Sequence, residues 1–215
     1  MQTLISTTPK FDFQIWGQRL MARFRSHVVA TDSDQLTLED FLHQVEDELN
    51  AGLSVSDHDM IACTAGCGSC CRVNVAILSP EAHNIAAYLR RTCTASELKQ
   101  LCMRMRQMLV AINGLDDDER IATNQPCAFL NEERSCSIYP VRPLLCRSVT
   151  STCAEACRAA LRSNIFEERG TVVMNLFQKD LMDAAFNTLA QLWHESGGDS
   201  RSRELTAAVY PLLQH

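Results

Sequence analysis

The chain has 215 residues, 46% of them hydrophobic and 21% charged, enough apolar content for a buried core and against a disordered polypeptide. A net charge of −6, with the arginines scattered, argues against nonspecific binding to nucleic acid or anionic membrane, which needs a basic surface. The N-terminal stretch MQTLISTTPKFDFQIW has no basic region followed by an apolar segment and a small-residue cleavage site, and no window approaches 18 consecutive apolar residues. The expected location is therefore the cytoplasm, without a membrane span.

Phe13, Trp16, Leu20, Phe24 and Val28 recur at three- and four-residue steps, the stripe of an amphipathic helix. Thr37-Leu-Glu-Asp40 resembles a capping box that opens a second helix through Phe41, Val45 and Leu49. A polar stretch from Leu53 to Met60 leads into the loop Cys63-Thr-Ala-Gly-Cys-Gly-Ser-Cys-Cys71. The run Val73 to Leu78 is apolar and β-branched, fit either for an extended segment or for irregular packing over the site. Ser79-Pro80-Glu81 predicts a helix start, a cap followed by proline in the first turn, for a helix carrying Ile85, Ala86 and Leu89. Thr94-Ala-Ser-Glu97 predicts another, before Leu98, Leu101, Cys102, Met105, Leu109 and Ile112.

Gly114 to Pro126 is a polar connection in which Asp116 to Glu119 lack calcium-loop spacing and read as a solvated loop or a helix N-terminus. Pro126 to Leu161 has little periodicity and three prolines, and reads as loop with short turns. Phe177, Leu181, Ala185, Leu189 and Leu192 trace a long amphipathic helix that ends near Gly197-Gly198. Leu205, Val209 and Leu212 predict a last helix, interrupted by Pro211. The expected fold class is mainly α, with helices flanking an irregular, cysteine-rich metal-binding centre. We expect a single domain over residues 1–215, with a cysteine-cluster core at 61–160 and helical flanks at 1–60 and 161–215.

The cysteines carry the chemistry. In a reducing compartment, clustered cysteines point to metal binding or catalysis rather than to disulfides. Their odd number, eleven, and the adjacent pair Cys70 and Cys71 also weigh against a disulfide scaffold. Cys102 lies on the apolar stripe of its helix and Cys93 stands alone between helices, so both read as structural. The other nine form two blocks, Cys63, Cys67, Cys70 and Cys71, then Cys127, Cys136, Cys146, Cys153 and Cys157. Soft thiolates select zinc, copper(I) or iron–sulfur clusters. Zinc sites often pair two short knuckles, and only the first block offers one. Iron–sulfur ligation uses three cysteines on one loop with a distant fourth, which Cys63-x3-Cys67-x2-Cys70 allows, and Gly66 and Gly68 let the backbone bend around a cluster. That spacing also matches the radical-SAM signature, but Ser69 replaces the usual aromatic residue and the flanks are helical. Iron or an iron–sulfur cluster, and zinc as a close alternative, both stay open.

Two segments resemble the YkgJ-like cysteine-cluster proteins, a family named for chelation of zinc or iron. CTAGCGSCCRVNVAIL is similar to the opening signature, PCAFLNEERSCSIYPVRPLLCRS to the second, and the later CRAA to the final cysteine followed by a basic residue and alanine. The resemblance covers roughly residues 61 to 160. It implies Cys63, Cys67, Cys70, Cys71, Cys127, Cys136, Cys146 and Cys157 as metal ligands. This chain has three residues, Thr64-Ala-Gly66, where the family usually has two, and Cys153 is an extra thiol able to substitute for Cys157. Tyr139, Arg142 and Arg147 lie among the thiols, either tuning a centre or, for the arginines, pairing with Glu132, Glu133 or Glu155 at the surface.

The expected function is metal binding, with a metal ion or cluster as the partner, and a protein partner left unspecified. The resemblance extends to flagellin lysine N-methylases that carry the same cysteine cluster, so it implies protein methylation as an alternative. No catalytic residue is assigned: His43, His58, His83 and His194 show no partner pattern, and no glycine-rich nucleotide loop follows a clear strand. A thiol redox sensor is the third reading.

Overall fold

The computed structural model describes residues 11–25, 34–162 and 170–214. Asp12 opens α1 (Phe13–Phe24), accepting from the Ile15 N–H, and Trp16, Leu20 and Phe24 of the expected stripe are buried. Val28 lies outside the described residues. The second helix, α2 (Asp34–Gly52), begins before Thr37, so Thr37 falls inside it rather than at its cap. Its core face, Leu38, Phe41, Leu42 and Val45, starts one residue after Thr37.

The polar stretch before the first cysteines holds a short helix, α3 (Val55–Met60). A reciprocal capping box builds it, with Asp57 N–H donating to Ser54 Oγ and Ser54 N–H donating to Asp57 Oδ2. No residue of α3 is buried, so no apolar periodicity marks it in the sequence. The run 73–78 is extended, with β1 (Ala76–Ile77) pairing antiparallel with β2 (Arg203–Glu204), Ala76 opposite Glu204. In α4 (Ser79–Thr92) Ser79 is the first helical residue, not the cap. The carboxylate of Glu81 takes over the capping by accepting from the Leu78 N–H at 2.9 Å.

The Thr94–Glu97 capping box does open α5 (Ala95–Ile112), although Met108, not Leu109, is the buried residue of that turn. Asp116 caps α6 (Asp117–Ala122), so the acidic run is a helix N-terminus. The segment expected to be mostly loop also carries α7 (Leu144–Ser148) and α8 (Ala154–Arg162). Like α3, α8 buries nothing, and its Glu155 pairs with Arg158 and Arg162 along its own length. The chain closes with α9 (Leu176–Glu195), β2, α10 (Leu205–Val209) and a 3₁₀ turn, Tyr210–Leu213, that begins just before Pro211. Among the described residues the fold is mainly α, ten helices and one two-stranded sheet. No described helix is long and apolar enough to cross a membrane.

Two apolar clusters hold these elements. One joins α1, α2 and α9 around Trp16, Phe41, Val45, Leu181, Met182 and Leu189, and it also receives Leu78 and Leu144. The other joins α4, α5 and α10 through Ile85, Leu89, Leu101, Met105 and Val209, together with Ile77, Phe129 and Ile138. Ile77 and Leu78 are neighbours in extended chain, so their side chains point to opposite sides. They are the seam between the two cores. Cys127, Cys136 and Cys146 pack against the second cluster, which places the cysteine-rich segments beside that seam.

Candidate metal centre

Main-chain bonds bring the two cysteine blocks together. Cys127 N–H donates to the Cys71 carbonyl at 2.7 Å, and Arg134 Nη2 donates to the Cys67 carbonyl at 2.7 Å. Arg72 reaches across to the carbonyl and the side-chain oxygen of Asn124. Ala62 N–H donates to Ser151 O at 2.8 Å, tying the start of the first loop to the end of the second block. The extra residue after Cys63 is absorbed in a turn closed by Cys67 N–H to Thr64 O, with Gly66 at a φ of +83°. Gly68, at +59°, lies so close to Arg134 O that a Cβ there would meet it at 3.3 Å. The two glycines thus let the first loop lie against the 130–134 turn.

Five cysteines line one cavity of about 50 Å³: Cys70 and Cys71 from the first block, Cys127, Cys136 and Cys146 from the second. Arg142, Glu204, Val75, Met108, Phe129 and Ile138 also line it. The remaining block cysteines lie outside that lining. Cys63 and Cys153 are exposed, while Cys67 and Cys157 are half-buried. Cys63 nevertheless sits in the electrostatic field of Cys70, Cys67 and Cys157, which links it to the cavity through Cys70. Cys153 Sγ accepts the Ala156 N–H at 3.4 Å, a helix-capping task at the start of α8. Cys93 and Cys102 are not in this lining.

Each inner thiol is held by a different element. Cys70 and Cys71 open a 3₁₀ turn, Cys70–Arg72. Cys136 forms a bridge with Leu130 across the turn that Arg134 and Asn131 close. Cys146 rides on α7, which packs on α9. The first residue of α7, Leu144, donates its N–H to Glu81 Oε1 at 2.9 Å. Glu81 therefore grips both Leu78 and Leu144, and its burial pushes its carboxyl up to about 7.

The thiols are electrostatically unequal. Burial pushes Cys127 up to about 12 and raises Cys136, Cys146 and Cys63. Cys70 is the exception, brought down to about 6 by a hydrogen bond from the Cys71 thiol, with the Arg142 charge adding to it. Cys71 is raised correspondingly, because it holds the proton the pair shares. Soft sulfur donors suit zinc or iron, and they must lose their protons to bind either. Among the described residues no three His, Cys, Asp or Glu side chains are drawn together at metal-holding spacing. The donor chemistry and the shared cavity fit such a metal; the sulfurs line its wall without converging on a point.

Arg142 is where a tuning cation would be, lining the cavity with its guanidinium 5.3 Å from the centre of the Tyr139 ring. Tyr139 itself is 65% exposed. Arg147 is instead a staple. It donates to the carbonyls of Arg142 and Pro140 and pairs with Glu46, not with Glu132, Glu133 or Glu155. Sequence reasoning missed Glu204 at the site and the burial of Arg120. Glu204 comes to the cavity only through the β1–β2 pairing, which no local pattern announces. Arg120 is completely buried, and a lone basic residue closing an acidic run was the one available signal.

No curated protein and no solved structure gives a significant match to the chain. A family model does match residues 62–175, more than half of the sequence, and spans both cysteine blocks. Its description is "Putative zinc- or iron-chelating domain". The chain belongs to the CxxCxxCC family.

Proposed function

We propose that the chain is a metal-binding protein whose ligands are Cys63, Cys67, Cys70, Cys71, Cys127, Cys136, Cys146 and Cys157, with iron, as an iron–sulfur centre, ahead of zinc. The observation that carries this reading is the single cavity lined by Cys70, Cys71, Cys127, Cys136 and Cys146, residues from both blocks. Cys157 is preferred to Cys153 because Cys63 lies in the field of Cys157, whereas the Cys153 sulfur is engaged in capping α8. Cys70, brought down by the hydrogen bond from the Cys71 thiol and by the Arg142 charge, is a favoured donor for a metal. Arg142 beside it offsets the negative charge that several thiolates accumulate. A bound metal would supply a cross-link between the two blocks, and its binding free energy would add to folding.

Anaerobic purification followed by an absorption spectrum and analysis for iron, zinc and acid-labile sulfide tests the reading. A coloured protein with iron and sulfide in comparable amounts is the expected result. Stoichiometric zinc and no colour would move the assignment to zinc. Protein that retains neither metal, and takes up neither, would overturn it.

A second reading rests on Cys70 alone. A thiol whose ionisation is eased by a hydrogen bond from an adjacent thiol is also what a redox sensor needs. Mild peroxide followed by mass spectrometry should then show reversible modification centred on Cys70; an unmodified metal-free protein would dispose of that reading.

A further inference from the structure

Among the described residues, Glu204 is the one acidic side chain in the lining of the cysteine cavity, and it comes from neither cysteine block. The main chain fixes it there. In the β1–β2 ladder it stands opposite Ala76, and the Leu205 N–H donates at 2.9 Å to the carbonyl of Val75, which also lines the cavity. Behind it, Leu205, Thr206 and Val209 of α10 are buried, so the position is held on both sides. The carboxylate itself is only partly committed. Oε2 accepts the Ala207 N–H at 2.8 Å, capping α10, while Oε1 takes no hydrogen bond and the group makes no ion pair among the described residues. Arg142 lines the same cavity, but its guanidinium lies against the Tyr139 ring. A half-buried carboxylate beside apolar walls, here Val73, Val75, Met108 and Phe129, is stabilised by a cation that pairs with it. The cavity holds about 50 Å³, under about two waters' share of the liquid, so an ion inside it lies close to its walls.

We propose that Glu204 is a specificity-determining ligand of this cavity, its uncommitted oxygen completing a mixed sulfur–oxygen donor set that prefers zinc or iron to copper(I). The inference rests on the reading of the cavity as the metal site. Thiolates alone suit copper(I) as well as zinc and iron, whereas a carboxylate oxygen is a harder donor, which zinc accepts beside sulfur and copper(I) does not favour. The negative charge of the carboxylate also balances the extra positive charge that a divalent ion carries over copper(I). A donor mounted on a paired strand and a buried helix start is held in place before the metal arrives.

The test is an anaerobic competition titration of the metal-free full chain with zinc(II) and, separately, with copper(I), each against a chromophoric chelator for that metal. Glu204→Gln keeps an oxygen able to accept the Ala207 N–H but is a poor metal ligand. It is expected to weaken zinc(II) binding by about tenfold or more, while copper(I) binding stays within about twofold of the parent. Glu204→Asp keeps the charge on a shorter stem and gives the same comparison where the glutamine variant does not fold. It should lose zinc(II) affinity by a smaller factor, with copper(I) again spared. A residue that only caps α10 would, on substitution, weaken both metals together or neither, and either result overturns the inference alone. Cobalt(II), a coloured substitute for zinc, adds a measurement independent of affinity. The absorption bands of the saturated complex should move in Glu204→Gln, and superimposable spectra of parent and variant would also overturn the inference. A parent chain that binds neither zinc nor iron would overturn the reading of the site as well.

Discussion

The inner and outer thiols of this protein are chemically identical and physically different. Cys127 and Cys146 line a cavity packed against an apolar core, and burial holds them protonated. Cys63 and Cys153 lie outside that lining and are exposed, and Cys153 spends its sulfur on a helix cap. Cys70 stands between the sets, lining the cavity while lying in reach of Cys63. The contrast teaches that a cysteine's place in a signature and its place in a site are separate properties. The inner set shares one cavity, whereas of the outer set Cys63 and Cys153 are open to solvent.

Serine substitution gives the sharpest separation. Cys127→Ser or Cys146→Ser should remove most retained metal, whereas Cys153→Ser should leave it near the parental level, as read by metal analysis after anaerobic purification. A Cys153→Ser loss equal to that of Cys127→Ser would erase the distinction between the sets. Stripping the metal with a chelator is the next largest effect. Hydrogen exchange should quicken in residues 120–147, where the second block is held to the first, and stay slow in α9. Equal protection with and without metal would mean that the fold alone holds the site.

Glu81 sharpens the comparison from the side of the scaffold. Its two oxygens accept from Leu78 and Leu144, a buried pair of bonds that a single amide oxygen cannot replace. Glu81→Gln should destabilise the chain by about 2 kcal/mol, measured by urea unfolding, because one buried N–H then faces an amide donor. It should also lower metal affinity through Cys146, with no comparable effect on labelling of Cys63.

The pH response has a definite sign. An unfolded thiol ionises near pH 8.5, whereas Cys127 in the metal-free fold is pushed up to about 12. Between those values the unfolded chain binds fewer protons than the folded one, so stability falls as pH rises. Metal-free protein should therefore lose stability from about pH 9 upward. Denaturation across that range, compared with Cys127→Ser, checks it: the serine variant should show a shallower decline. The smallest effect is expected at Cys102, half-buried on α5 and remote from the cavity lining. Cys102→Ser should change stability by less than about 1 kcal/mol and leave metal content alone.

What could be read in advance follows from where the stabilising free energy lies. Helices α1, α5 and α9 bury an apolar stripe, and a stripe leaves a period in the sequence. Helices α3 and α8 bury nothing and are held by caps and local ion pairs, so the same method passes over them. Ser79 has the right chemistry for a cap, yet Glu81 caps the helix because its carboxylate also has Leu144 to hold. At the site, the cysteine blocks were legible because thiols are rare and cluster. Glu204 and Arg120 were not, since common residue types acquire meaning only from their neighbours.

The sequence by itself determined that the protein is mainly α, that nine cysteines form two blocks, and that the chain has the signature of a zinc- or iron-chelating family. Local forces and composition suffice for that. Only the tertiary structure decided which five cysteines share a cavity, that Glu204 and Arg142 line it with them, and that Arg120 is completely buried. Those properties depend on burial and on charges from segments distant in the chain. No spacing along the sequence encodes them.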